Sequence, residues 1–152
     1  MCCVNLTISM FNTMDRPQIK YKSGYQYQTV ADYKVRVSIF PEKEISTRFL
    51  CLKRNGLLTI KSGYAWDGPS GPTIHSKTFM RGSLVHDALY QLIRFGLIPN
   101  YYRLEADQEL RRICLEDGMW SVRAWWVYQA VRTFGKAAAD PRNKKEILTA
   151  PH

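Results

Sequence analysis

The 152-residue chain has no run approaching the ~18 consecutive apolar residues that a membrane-spanning helix requires. It has no charged residue among its first 13, so the basic n-region of a secretory signal is missing. It has only four cysteines, at 2, 3, 51 and 114, without Cys-x-x-Cys spacing, which excludes a disulfide-stapled secreted scaffold and implies thiols in a reducing compartment. It has no HExxH and no Cys/His cluster, which removes the usual signatures of zinc. It also lacks internal repeats and low-complexity tracts. Acidic residues are scarce, 13 against 22 Lys plus Arg, giving a net charge of +9. Such a balance attracts nucleic acid, anionic lipid headgroups or acidic proteins. However, the basic residues are spread along the chain, from Lys20 and Lys34 to Arg111, Arg112 and Lys144, with no block of five or more. That spacing argues against a nucleic-acid-binding arm and fits a solvated surface.

What is present is enough for one core. Hydrophobic residues at 45% and aromatics at 12% exclude a disordered chain, and the length is that of one domain. We expect a single α+β domain over 14–140, an N-terminal extension over 1–13 with Met14 as an alternative start to Met1, and a C-terminal surface tail over 141–152. From about 18 to 65 the pattern is that of antiparallel strands. Tyr33, Val35, Val37 and Ile39 alternate with Lys34, Arg36 and Ser38, so one sheet face is buried. Asn55-Gly56 between two apolar runs predicts a type I′ hairpin turn. The period then changes. Met80, Leu84, Val85, Ala88, Leu89 and Leu92 predict an amphipathic helix over 79–95, stopped by Gly96 and Pro99. Ala106, Leu110, Ile113 and Cys114 predict a second over 103–116, stopped at Asp117-Gly118. Ala124, Val127, Tyr128, Val131 and Phe134 predict a third over 121–135, ending near Gly135. Strands first and helices afterwards make an α+β fold with a three-helix C-terminal half.

Polar groups interrupt the first two helices in a suggestive order. His86 and Tyr90 are four apart and share a helical face. Asp107 shares a face of the second helix with Arg103, so antiparallel packing about Pro99 brings its carboxylate to the His86 ring. A carboxylate there fixes the imidazole tautomer and supports proton abstraction from water. Asp87 is rotated about a hundred degrees from His86 and addresses a separate spot, for which a metal is one occupant. Asp67, with the backbone carbonyls of Trp66 to Gly71, offers the hard oxygen donors that suit calcium.

The order of an Asp-Gly loop, a His-Asp-x-x-Tyr helix and an Ala-Asp on the next helix resembles the phospholipase A2 superfamily, above all its short prokaryotic members. The spacings are 19 residues from Asp67 to His86 and 21 from His86 to Asp107. The resemblance implies His86 as general base, Asp107 as its orienting partner, Tyr90 as a hydrogen-bonding support for Asp107, and Asp87, Asp67 and Gly68 around a calcium ion. Its substrate would be a phospholipid or related ester. The likeness spans about 41 residues and lacks the paired cysteines of the secreted enzymes. A wider stretch, from Gly63 to Gly135, resembles an uncharacterised family of small phage and prophage proteins through DGPSGP, RGSLVHDALY, RLEAD and RAWWVYQAVRTFG. This likeness implies a phage setting, either in the host cytoplasm during infection or within the virion.

Each feature also has a plain reading. A buried His86 satisfied by Asp107 is a structural device in many cores, Asp67-Gly68 is a common turn, His75 near the loop's end reads as solvated, and Trp66, Trp120, Trp125 and Trp126 serve as core or rim as readily as they line a lipid cleft. Two functions therefore stand side by side. One is a calcium-assisted, phospholipase A2-like hydrolase with a His-Asp dyad. The other is a non-catalytic phage virion or host-takeover protein that acts by binding a protein partner.

Overall fold

A computed structural model describes residues 21–22, 27–68 and 76–143. The expectations for Met1 and Met14, Cys2 and Cys3, the loop from Pro69 to His75, and the tail from 144 lie outside the described residues. Among the described residues seven short strands precede three helices, so the α+β arrangement read from the sequence is the observed one. The strands are β1 (Tyr21–Lys22), β2 (Tyr27–Thr29), β3 (Tyr33–Arg36), β4 (Ile45–Ser46), β5 (Leu50–Leu52), β6 (Leu57–Ile60) and β7 (Ala65–Trp66). They form two antiparallel sheets, β1-β2-β7 and β3-β6-β5-β4. The alternation around Tyr33 has its expected consequence: Tyr33, Val37 and Ile39 are buried while Lys34, Arg36 and Ser38 face outward. Leu50, Leu52, Leu58 and Ile60 complete the buried face.

The β5–β6 hairpin is present, but its turn differs from the expected type I′. Gly56 has φ +77° and, among the described residues, no non-glycine residue has positive φ, so Asn55 does not occupy the left-handed region that type I′ requires. The Gly56 amide instead donates to the Lys53 carbonyl and Lys53 pairs with Leu57, making a three-residue loop with a left-handed glycine at its end. Asn55 contributes through its side chain, whose Oδ1 accepts from the Leu57 amide at 3.1 Å. A local side-chain bond has replaced a strained backbone.

Helices α1 (Lys77–Arg94), α2 (Arg103–Glu116) and α3 (Ser121–Ala139) follow, with a short 3-10 turn at Asn100–Tyr102 leading into α2 and another at Pro141–Asn143 after α3. The first two end as their glycines predict. Gly96 and Gly118 adopt positive φ, and the residue after each donates its amide back to Leu92 and Cys114 respectively, which satisfies carbonyls left over at the helix ends. Gly135 does not end α3. The helix runs four residues further and stops at Asp140, whose extended backbone is the conformation favoured before Pro141. Phe134, expected on the inner stripe, is instead exposed, while Ala124 and Val127 are buried as expected.

Two buried charged side chains attach the helices to the four-stranded sheet. Arg81 of α1 donates to the Tyr33 hydroxyl and pairs with Glu116 and Asp117 at the end of α2. Glu109 of α2 accepts the Ser38 amide at 2.9 Å, and Arg112 both pairs with Glu109 and donates to the Arg36 carbonyl. Each buried charge is paired and hydrogen-bonded, the condition under which burial is tolerated.

Candidate functional site

The site lies where α1, α2 and α3 meet. Gly82 permits the approach of the first two helices: a Cβ there would stand 2.8 Å from the Cys114 sulfur and 3.2 Å from the Leu110 carbonyl oxygen. Four residues, about one turn, further along α1, His86 faces α2. Its Nε2 is 2.8 Å from Oδ1 of Asp107, a carboxylate with no exposure at all. Tyr90 donates its hydroxyl to the same oxygen at 2.6 Å, and its ring lies 4.0 Å from the imidazole between centroids. The approach of Asp107 to His86, expected from spacing, and the bond of Tyr90 to Asp107, which the resemblance implied, make the trio a single hydrogen-bonded unit.

The other carboxylate oxygen belongs to arginines. Arg132 of α3 donates to Oδ2 at 2.8 Å, and Arg103 Nε stands 3.8 Å from it while its NH2 donates to the Arg132 carbonyl. Arg103 was visible in the sequence through its i, i+4 relation to Asp107. Arg132 was not. It lies 25 residues from Asp107, and its only local signal is that it sits one turn beyond Tyr128 on the side of α3 that turns towards α2. Gly135 completes the seat. A Cβ at that position would come within 2.6 Å of the Tyr90 hydroxyl, so the glycine read as a helix terminator instead makes room for the phenol that holds Asp107.

The electrostatics follow from this geometry. Burial alone would raise the Asp107 pKa, but hydrogen bonds from His86, Tyr90 and Arg132 outweigh it and hold the carboxyl below its ordinary 3.8. Burial alone would lower the His86 pKa, yet the hydrogen bond to Asp107 and the nearby Asp87 carboxylate leave it above 6.5. Desolvation, followed by the bond to Asp107, pushes the Tyr90 phenol far up, so Tyr90 remains a proton donor. An ionised Asp107 can only accept, which requires Nε2 to carry a hydrogen and leaves Nδ1 of the neutral ring with the lone pair. Asp87 addresses that second nitrogen. Its Oδ1 is 3.8 Å from Nδ1, beyond a hydrogen bond and close enough to stabilise the imidazolium. Asp87 was expected to address a spot separate from His86; instead its carboxylate lies beside the second nitrogen of the same ring.

The acidic loop meets this region at one edge. Tyr64 is buried, and its phenol is held up first by burial and then by Asp87, with Asp67 adding to the effect and Arg94 opposing it. Both candidate calcium-binding carboxylates thus act on one tyrosine. Gly68 is buried with φ +72°, and a Cβ there would come within 2.4 Å of the Tyr27 ring, so packing against Tyr27 accounts for the glycine. Carboxylate oxygens of this kind suit calcium in type but not in number: among the described residues no group of three or more His, Cys, Asp or Glu side chains is placed to hold a metal ion.

The remaining expectations are distributed over the surface and core. Trp66 is buried and donates to Ser83 of α1 at 3.2 Å, whereas Trp120, Trp125 and Trp126 are exposed. Arg111 lies over the Tyr128 ring. Cys51 and Cys114 are free thiols, the latter buried and with its pKa raised to about 12 by desolvation, which makes it unreactive. A hollow of about 320 Å³ lined by Pro41, Lys43, Leu97 and Tyr101 contains none of the dyad residues. No helix of the described residues is long and apolar enough to cross a membrane.

No protein-family model, no curated protein and no solved structure matches the chain. The geometry around Asp107 is accordingly the basis for a functional reading.

Proposed function

We propose that the chain is a phage-encoded ester hydrolase of phospholipase A2 type, in which His86 takes a proton from water. The observation that carries the reading is the division of labour around the imidazole. Nε2 is committed to the buried, ionised Asp107, and Nδ1 is left as a base with a carboxylate 3.8 Å away. In the proposed reaction Nδ1 accepts a proton from water as the water oxygen attacks the ester carbonyl carbon. Asp107 and Asp87 stabilise the imidazolium that forms. The carbonyl π electrons move to oxygen, and on collapse of the tetrahedral species the C–O bond to the leaving alcohol breaks. The proton on Nδ1 passes to that alkoxide, which restores the neutral ring. Tyr90 and Arg132 keep Asp107 ionised and stationary throughout.

Calcium, as an expectation of the proposal, would be held by Asp67, Asp87 and the Gly68 carbonyl and would polarise the ester carbonyl. The described donors do not complete a shell, so the proton transfers above are argued from the side chains alone.

One observation favours the second reading, a non-catalytic phage protein that binds another protein. His86 is only 7% exposed, as a purely structural histidine would be. Hydrolysis of an ester-linked phospholipid, followed with calcium and with chelator, separates the two. The hydrolase reading expects turnover that falls about 10²–10⁴-fold in His86→Asn, and a smaller loss in Asp87→Asn. Absence of turnover in the unaltered protein, or equal turnover in His86→Asn, would leave the binding-protein reading.

A further inference from the structure

Helix α3 and Trp120, the residue before it, carry four exposed large aromatic side chains among the described residues. Trp120 is 74% exposed, Trp126 65% and Phe134 78%, with Val122 and Trp125 also exposed between them. Val122 and Trp126 are one turn apart, and the Trp125 and Trp126 rings meet edge to face at 5.6 Å, which presents two indoles side by side. The same helix contains no Asp or Glu but has Arg123, Arg132 and Lys136, and the exposed Arg111 of α2 lies over its Tyr128. Nineteen helical residues with indoles, cations and no anion are an unusual surface on a chain that otherwise mixes its charges. A face of this composition has the makeup of a helix that lies in a headgroup region, with indoles at the polar–apolar boundary and cations against anionic lipid.

From this we infer that α3 is a docking surface for an anionic phospholipid bilayer, with Trp120, Trp125 and Trp126 entering the headgroup layer and Arg123, Lys136 and Arg111 meeting its charge. Charge complementarity selects this occupant, because a chain of net charge +9 and an acid-free helix repel a second copy of themselves. The form of the surface selects it over a folded acidic protein. The indoles stand out from a convex helix, which a fluid interface accommodates and a protein would have to match with a cleft. The inference rests on the hydrolase reading for a reason to visit lipid, but it concerns adsorption and not turnover.

Flotation of the full chain with vesicles, in chelator, tests it without any hydrolysis. The protein is expected to float with equal parts phosphatidylglycerol and phosphatidylcholine, to stay behind with phosphatidylcholine alone, and to lose adsorption as salt is raised. His86→Asn should float like the unaltered protein. The triple substitution Trp120→Ser, Trp125→Ser and Trp126→Ser should bind at least about tenfold more weakly. A second readout uses the unaltered chain. Trp66 is buried, so quenching of tryptophan emission by brominated acyl chains reports the α3 indoles, and strong quenching is expected. Failure to float with anionic vesicles, undiminished flotation of the triple variant, or flotation without quenching would each overturn the proposal. So would a dimer or a captured acidic protein that disappears with the same three substitutions while lipid binding is absent. A chain that adsorbs but never hydrolyses would end the hydrolase reading alone.

Discussion

Helices α1 and α3 are nearly equal in length and opposite in use. Thirteen of the 18 residues of α1 are buried, against three of the 19 in α3. The first is a core element that carries polar groups inward, and the second is a surface element that contributes one arginine and one glycine to the site. Polar residues within α1 are therefore constrained on all sides: Arg81, Ser83, His86 and Tyr90 each have a partner. On α3, Arg132 and Gly135 are held to the site and Ala124, Val127 and Ala139 are buried, while Trp125, Trp126 and Phe134 face outward. The difference teaches that burial of a titratable group, more than its identity, decides whether its environment is specified.

Substitutions sharpen that contrast. The largest effect is expected at the junction, in Asp107→Ala, which removes the acceptor shared by His86, Tyr90 and Arg132 and leaves buried donors unpaired. The expected loss is about 3–5 kcal/mol, seen in thermal melts as a drop of roughly 10 °C. Leu89→Ala, a wholly buried side chain of α1, should lose about 2–4 kcal/mol through the cavity it leaves. Gly135→Ala sets two effects against each other. Helix propensity alone favours alanine by up to about 1 kcal/mol, but the new methyl would press on the Tyr90 hydroxyl. We expect the clash to win, with a net loss of about 1–2 kcal/mol. A gain in stability would show that Tyr90 is not anchored to Asp107.

A pH titration of stability gives a smaller effect with a definite sign. The His86 pKa is raised in the folded chain, so its contribution is fully present below about 6.5 and is lost as pH rises through the higher folded value. The Asp107 pKa is lowered, so its contribution is present above 3.8 and is lost as pH falls through the folded value. Denaturant midpoints should therefore decline on the alkaline side of 6.5 in the unaltered protein, and that decline should be absent in His86→Asn. Trp126→Ser should have the smallest effect, within about 0.5 kcal/mol, because its side chain lies outside the core.

Much of this was legible before the structure, and the reasons are local. Whereas the bond of Tyr90 to Asp107 was implied by the phospholipase A2 likeness, the antiparallel pairing of α1 and α2 and the approach of Asp107 to His86 follow from the short connection around Pro99 and from i, i+4 spacing. These signals are carried by residues close together in sequence. The departures share the opposite cause. Asn55-Gly56 had the composition of one turn and the geometry of another because a side-chain bond from Asn55 to the Leu57 amide competes with the left-handed backbone. Gly135 had the composition of a terminator, but its role is set by Tyr90, which lies 45 positions earlier and touches it only in the folded chain. Arg132 was missed for the same reason. Arg81, read only as part of a motif, is buried because Tyr33, Glu116 and Asp117 converge on it from two other elements. A spacing argument sees one helix at a time, and these residues answer to several.

The tautomer and titration of His86, followed by nitrogen-15 NMR of the imidazole, bear most directly on the account. The buried Asp107 bond requires the neutral ring to carry its hydrogen on Nε2 and to titrate above 6.5, with the titration altered in Asp107→Asn. A ring protonated on Nδ1, or a titration at or below that value, would contradict it.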